Sequence, residues 1–420
     1  MELLSEHSIP LHGRIDAPPS KSVTHRALLL AAMSEGRSVI RNPLLSGDTL
    51  STLEAARLMG AAVEKGSALM VNPSLHQSED VINANNSGTT ARLFSSVCAL
   101  LPGHAVITGD SSLRRRPMQP IIDAVKQLGG KAFSTAGNGR LPAVFGGRMN
   151  RSNARLRGDI SSQFASSLAI SCPMKDNDTE IRLTGGIQSL QYLKLTMEMV
   201  GMFGCRTVLE DSKLYSTGGG AYRGRTVNVP GDYSSAAFPL AAAAVTGGRI
   251  TVGRLSNEFT QADSVITSIL STLGCSIRIA GDSVTVGSGG LDAADIDCSE
   301  SPDLFPVTCI LASAAKGKSR IKGSANLRHK ETDRVETTCS MLQCLGVDFS
   351  ASGETVVING GRIRGGAVES HGDHRIAMAA CVAGLASQKG CTVSDGESCS
   401  VSYPSFVSDL RSLGGKVKLK

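Results

Sequence analysis

RLMGAAVE (57–64), KQLGGKAF (126–133), GMFGCRTV (201–208), STLGCSIR (271–278), QCLGVDFS (343–350) and RSLGGKVK (411–418) are variants of one phrase. Each ends a helical stretch on an apolar residue and a glycine, then opens a short strand. The aligned glycines are Gly60, Gly129, Gly204, Gly274, Gly346 and Gly414, spaced 68 to 75 residues apart. So regular a period is the signature of an internal repeat.

Working upstream from each glycine, a second feature recurs. A polar cluster opens an apolar helix. The clusters are Ser20-Lys21-Ser22, Ser87-Gly88-Thr89-Thr90, Ser161-Ser162-Gln163, Asp232-Tyr233-Ser234-Ser235, Ser301-Pro302-Asp303 and Asp373-His374-Arg375. The helices they open, such as RALLLAAM and AMAACVAGLAS, are hydrophobic on nearly every face, which predicts burial. Each repeat therefore holds one buried helix, one amphipathic helix and several short strands. Three repeats precede residue 230 and three follow. The expected fold is α/β, with two domains of three repeats each: 20–229, and 230–420 closed by the chain start, 1–19. APPS (17–20) and VNVPGDYSS (227–235) are the expected crossings.

Composition narrows the function. At 420 residues and 41% hydrophobic content the chain can fill more than one core. Its longest apolar run, Ala236 to Val245, is too short for a membrane span and contains Pro239. MELLSEHSIP lacks the basic and apolar regions of a secretory leader. The eleven cysteines are scattered singly, as expected of reduced, mostly buried thiols. Clustered Cys and His for a metal are absent from the sequence. A net charge of +6 with 4% aromatics and no Trp suits small anions better than nucleic acid. The expected setting is cytoplasmic, with a monomer acting on small molecules and needing no cofactor, metal, membrane or nucleic acid.

The helix openings carry the candidate chemistry. A single Ser, Thr or Asp there is an N-cap. Runs such as Ser161-Ser162-Gln163 supply more donors than a cap needs, and several N–H groups with hydroxyls at a helix start attract an anion. Cations cluster beside them: Lys21, Arg26, Arg92, Arg114 to Arg116, Lys330, Arg334 and Arg375. Two of the three consecutive arginines read as a solvated face. Two carboxylates stand among the cations. Asp303 serves either as an N-cap or in proton transfer, and Glu331 either as a neighbour's ion partner or in proton transfer.

PPSKSVTHRALLLAA, NNSGTTARL, LRRRPM, GDISSQF, NLRHKETDR, GDHRIAMA and VSYPSF together resemble the 5-enolpyruvylshikimate-3-phosphate synthase family, essentially end to end. The resemblance implies two inside-out α/β barrel domains with the substrates in the cleft between them. It implies transfer of the enolpyruvyl group of phosphoenolpyruvate to the 5-hydroxyl of shikimate 3-phosphate in aromatic amino-acid biosynthesis, and a phosphoenolpyruvate subsite open to glyphosate. By position, Lys21, Ser22, Arg26, Ser161, Ser162, Gln163, Ser189, Tyr192, Asp303, Asn326 and Lys330 would bind shikimate 3-phosphate. Lys21, Gly88, Arg116, Gln163, Arg334, His374 and Arg375 would bind phosphoenolpyruvate. Asp303, Glu331 and Lys21 match the family's proton-transfer residues. Two positions depart: Val401 stands where several members have Lys, and Leu93 where some have Pro.

Other readings remain open at this point. A UDP-sugar enolpyruvyl transferase of the same fold would want a cysteine near Arg116, and LRRRPMQ has none. An RNA 3′-phosphate cyclase would want a nucleotide site and a long basic face. A catalytically silent phosphometabolite-binding protein gains little from carboxylates beside Lys21.

Overall fold

At each of the six repeated glycines the backbone turns left-handed: φ is +105° at Gly60, +91° at Gly129, +96° at Gly204, +92° at Gly274, +65° at Gly346 and +97° at Gly414. Only glycine adopts such angles without steric cost. The turn lets the following N–H reach back across the last helical turn, from Ala61 to the Ala56 carbonyl, Gly130 to Val125, Cys205 to Val200, Cys275 to Leu270, Val347 to Leu342 and Gly415 to Leu410. These bonds satisfy carbonyls that a helix end leaves open. The chain then enters the strands Ala62–Lys65, Lys131–Ser134, Thr207–Glu210, Ser276–Ala280, Asp348–Ser352 and Val417–Leu419.

The computed structural model describes residues 1–287 and 289–420. Among them the repeat is a strand, a buried helix, a strand parallel to the first, an amphipathic helix and a β-hairpin. In the second repeat these are Ile82–Asn83, Gly88–Cys98, His104–Thr108, Gln119–Gln127, Lys131–Ser134 and Ala143–Gly146. Each repeat builds a four-stranded sheet, and the six share one order: a parallel pair, then two antiparallel strands.

The chain forms two compact units. One is continuous, Pro19–Val229; the other is discontinuous, Met1–Pro18 with Pro230–Lys420. Each holds three of the four-stranded sheets. The continuous unit closes on itself when Thr226–Asn228 pairs parallel to Ser38–Arg41. The discontinuous unit is closed by the chain start. His12–Asp16 pairs with Arg249–Gly253, and Leu3–Ser5 lies between Cys391–Ser394 and Val417–Leu419.

Inside the discontinuous unit the helices Tyr233–Thr246, Phe305–Ala314 and His374–Ala386 are buried along almost their whole length. Lys21–Ala32, Gly88–Cys98 and Ser162–Ser171 are the buried helices of the continuous unit. Each fully buried Leu, Ile or Phe contributes about 1.5–3 kcal/mol. Ala and Ser fill the remaining positions, where small side chains let helices approach one another.

Five of the six openings cap their helices through a side chain: Ser20 accepts from Val23 N, Ser87 from Thr90 N, Ser161 from Gln163 N, Asp232 from Ser234 N and Asp373 from Arg375 N. The fifth in chain order departs from expectation. Ser301-Pro302-Asp303 leads into a 3₁₀ turn, Pro302–Leu304, and the α-helix begins only at Phe305. Pro306 has no N–H to return to the Pro302 carbonyl, so the Phe305 N–H takes it in the tighter pattern. The residue before the α-helix is thus Leu304, so Asp303 is not at its N-cap position.

Candidate functional site

The expected site residues fall into two clusters, one within each unit. In the continuous unit, Lys21 opens its helix and its Nζ lies 2.9 Å from Asp48 Oδ2, with both side chains largely buried. Asp48 sits in the first turn of the helix Gly47–Leu58. Sequence reasoning missed it, because the Ser46–Thr49 capping box accounts for that helix start without it.

Arg26 is buried, and burial pushes its pKa down to about 10, so it stays charged at neutral pH. Its Nε donates to Thr196 Oγ1 (2.8 Å), Nη1 to the Ser22 carbonyl (3.0 Å) and Nη2 to the Tyr192 carbonyl (3.1 Å). A guanidinium has five N–H groups. One on each terminal nitrogen remains, the fork that fits a carboxylate.

Arg92 Nη1 donates to Gln163 Oε1 (2.7 Å) and Ser161 Oγ (3.2 Å), and its guanidinium lies 4.9 Å from the centre of the Phe164 ring. Gln163 Nε2 donates on to Thr89 Oγ1 at 2.9 Å. One glutamine thus ties together the starts of two buried helices. Arg116 is buried and donates to Asn86 Oδ1 at 2.8 Å, while Arg114 and Arg115 are exposed. A Cβ added at Gly88 would lie 3.1 Å from Arg116 Nη1 and 3.9 Å from Gln163 Oε1, so Gly88, Arg116 and Gln163 converge.

Ser162 and Ser189 are buried, Ser22 and Tyr192 half-buried. Ser189 holds φ 54° and ψ 51°, a left-handed conformation that costs a non-glycine residue about 1–3 kcal/mol. Strain of that kind gathers at functional positions.

In the discontinuous unit Arg334 is the hub. It is fully buried and reaches three carboxylates: Nη1 to Asp303 Oδ1 (2.7 Å), Nη2 to Glu331 Oε2 (2.6 Å) and Nε to Asp373 Oδ2 (2.8 Å). Burial pushes its pKa down, yet the charges of Asp373, Glu331 and Asp303 more than compensate and hold it well above the ordinary value. Glu331 thus has the ion partner that the bland reading gave it. Asp303 also meets Lys330 Nζ at 3.2 Å and Arg375 Nη2 at 3.4 Å.

Arg375 donates to the Ser234 carbonyl (2.7 Å) and Ser234 Oγ (2.6 Å). Burial lowers its pKa as well, and Asp303 and Asp232 raise it past the ordinary value. Asp373, wholly buried, accepts from the Arg375 N–H while holding Arg334 and the Thr332 hydroxyl. That second role behind a helix cap has no sequence signal. His374 and Asn326 are buried, and Asn326 Oδ1 accepts from Ser324 Oγ at 2.7 Å. Val401 ends the 3₁₀ stretch Gly396–Val401, and Leu93 is buried in the core side of its helix. Among the described residues no group of three or more His, Cys, Asp or Glu is placed to hold a metal, and no helix is long and apolar enough to cross a membrane.

These clusters set buried cations at helix starts, with carboxylates beside them, and known proteins give the arrangement a context. The profile of the family described as EPSP synthase (3-phosphoshikimate 1-carboxyvinyltransferase) matches residues 6–410. A 3-phosphoshikimate 1-carboxyvinyltransferase of Methanocella arvoryzae is 43% identical over 420 residues, covering 97% of each chain. One of Methanocorpusculum labreanum is 42% identical over the whole of both chains. Among solved structures, an EPSP synthase from Acinetobacter baumannii superimposes with a TM-score of 0.83 at 27% identity, covering 99% of both chains. The chain belongs to the EPSP synthase family.

Proposed function

We infer that the chain transfers the enolpyruvyl group of phosphoenolpyruvate to the 5-hydroxyl of shikimate 3-phosphate and releases phosphate. The hydroxyl oxygen adds to C2 of phosphoenolpyruvate as C3 gains a proton. The resulting tetrahedral ketal still carries phosphate. C3 then loses a proton, the C–O bond to phosphate breaks, and the enol ether forms. No electrons are exchanged with a cofactor; the chemistry needs positive charge and two sites of proton transfer.

The observation that carries this reading is the pairing of Asp303 and Glu331 on the two terminal nitrogens of one buried arginine. Anion binding alone is weakened by carboxylates. Here they neutralise Arg334, and a substrate anion that takes Arg334, Lys330 or Arg375 releases them for proton transfer. Asp303 is read as the acceptor of the hydroxyl proton, with Glu331 and Lys21 serving C3. Ser161, Ser162 and Ser189 are read as the 3-phosphate contacts, and Gly88 and Arg116 as contacts of phosphoenolpyruvate.

The test is phosphate release followed by a coupled assay. Release that requires both shikimate 3-phosphate and phosphoenolpyruvate is the expected result. Binding of both without release would leave a silent binding protein in its place.

A further inference from the structure

Between the helices of the continuous unit runs a chain of side chains that the reaction leaves unassigned. His25 is fully buried, and its Nδ1 lies 2.6 Å from Thr52 Oγ1. Thr52 Oγ1 lies 2.6 Å from Thr90 Oγ1, and Thr90 Oγ1 donates to Ser87 Oγ at 2.7 Å. The chain links Lys21–Ala32, Gly47–Leu58 and Gly88–Cys98, and it ends one residue before Gly88. It lies one helical turn past the Lys21–Asp48 ion pair, since His25 follows Lys21 by four residues and Thr52 follows Asp48 by four.

Proton counting gives the chain a direction. Ser87 Oγ accepts from Thr90 N (3.2 Å) and from Thr90 Oγ1, so both its lone pairs are occupied. Ser87 itself is fully buried. The single Thr90 hydroxyl proton goes to Ser87 Oγ at 2.7 Å or to the Asp48 carbonyl at 3.4 Å, and in either case Thr52 must donate to Thr90. Thr52 Oγ1 then faces His25 as an acceptor, and the imidazole proton must sit on Nδ1. Nε2 is buried without a partner, and a bare acceptor there is the less costly arrangement, since buried N–H groups are rarely left unpaired.

We propose that His25 is a positioning residue: with its proton on Nδ1 it orders the Thr52 and Thr90 hydroxyls and through them holds Ser87, the fully buried N-cap of the helix Gly88–Cys98, whose start is read above as a phosphoenolpyruvate contact. This rests on the function proposed above. The imidazole stays neutral in this role. Burial disfavours a second proton, as do Lys21 and Arg26 on its own helix, and Asp48 of the neighbouring helix is taken up by Lys21.

Four variants test it: His25→Leu, which removes the donor, His25→Asn, whose amide N–H occupies the place of Nδ1, and Thr52→Val alone and combined with His25→Leu. His25→Leu should raise the KM for phosphoenolpyruvate about tenfold, the scale of a loosened helix cap. The KM for shikimate 3-phosphate should stay within twofold, and His25→Asn should restore most of the loss. The double variant should be no worse than either single one, because both cut the same chain. Nitrogen NMR of wild type, with the His25 signal identified by its loss in His25→Asn, should show the proton on Nδ1. A proton on Nε2 overturns the proposal. So do equal losses for both substrates, or a lowered melting temperature with an unchanged KM for phosphoenolpyruvate. If His25→Leu does not fold, Thr52→Val and His25→Asn carry the same comparison. A wild type that releases no phosphate at all would instead fail the proposed function.

Discussion

The two clusters solve the problem of buried positive charge in opposite ways. In the discontinuous unit, Lys330, Arg334 and Arg375 are matched by Asp303, Glu331 and Asp373 within hydrogen-bonding range. In the continuous unit, Arg26, Arg92 and Arg116 donate to hydroxyls, amides and carbonyls, and the acid Asp48 pairs with Lys21. Breaking one partner of a buried ion pair costs about 3–5 kcal/mol. A substrate anion entering the first cluster must therefore replace a carboxylate. In the second it adds charge where neutral dipoles stood. On the function proposed above, the first arrangement would free acids and bases for chemistry, and the second would serve for holding.

The comparison predicts that substitutions in the discontinuous cluster act on turnover. Glu331→Gln keeps the shape and should leave substrate binding near normal while turnover falls about 10²–10⁴-fold, the usual scale of general acid–base catalysis. Normal turnover with lost binding would make Glu331 a structural partner of Arg334 and erase the contrast. Asp303→Asn is judged the same way.

In the continuous cluster the effect should fall on affinity. Arg26→Lys removes the fork while keeping the charge, and should weaken shikimate 3-phosphate about tenfold or more, the scale of a charge-assisted bond. Phosphoenolpyruvate affinity should change little. Equal losses for both ligands would show that Arg26 supports the unit as a whole through Thr196, Ser22 and Tyr192.

A smaller effect is expected at Gly88. No unusual backbone angle requires glycine there, and an added methyl crowds the tip of Arg116 at 3.1 Å while lying at ordinary contact from Leu113 and Gln163. Gly88→Ala should fold normally and weaken phosphoenolpyruvate several-fold, about 1 kcal/mol at most, as Arg116 gives way. Glyphosate inhibition competitive with phosphoenolpyruvate should weaken with it. A substitution that unfolds the protein would mean the helix start is packed more tightly than the contacts allow.

The smallest effect is on stability, and it reads the hidden imidazole. Burial, with the charges of Lys21 and Arg26, holds the His25 pKa well below 6.5. Below pH 6.5 the unfolded chain takes up a proton there and the folded one does not. Stability therefore falls as pH drops from 6.5 toward the folded pKa, by at most about 1.4 kcal/mol per unit. His25→Asn lacks this slope. Denaturation midpoints at pH 7, 6 and 5 should converge for the two proteins, and parallel curves would mean that the imidazole is solvated.

Much of this architecture was legible because repetition multiplies weak signals. One glycine after a leucine says little, but six at one spacing fixed the helix ends, and all six adopt the left-handed turn. Asp303 could not be read so simply: whether it capped depended on Pro306, three residues later, withholding an N–H. Asp48 and Thr52 were invisible for a different reason. Their roles come from which helices lie side by side, and no local pattern in the sequence encodes that. Composition separated Arg114 and Arg115 from Arg116 only as a proportion, because burial chooses among three identical neighbours, and it was the family resemblance that picked out Arg116.

The strand Leu3–Ser5 has its partners at 391–394 and 417–419. During synthesis at about 5–20 residues per second, that strand leaves the ribosome roughly 20–80 s before its neighbours exist. The continuous unit, whose closing strand is Thr226–Asn228, can finish within the interval. These early residues are thus among the last to find their place. Until then they form an unpaired segment carried by a half-built protein, and chaperones have the longest access to that segment.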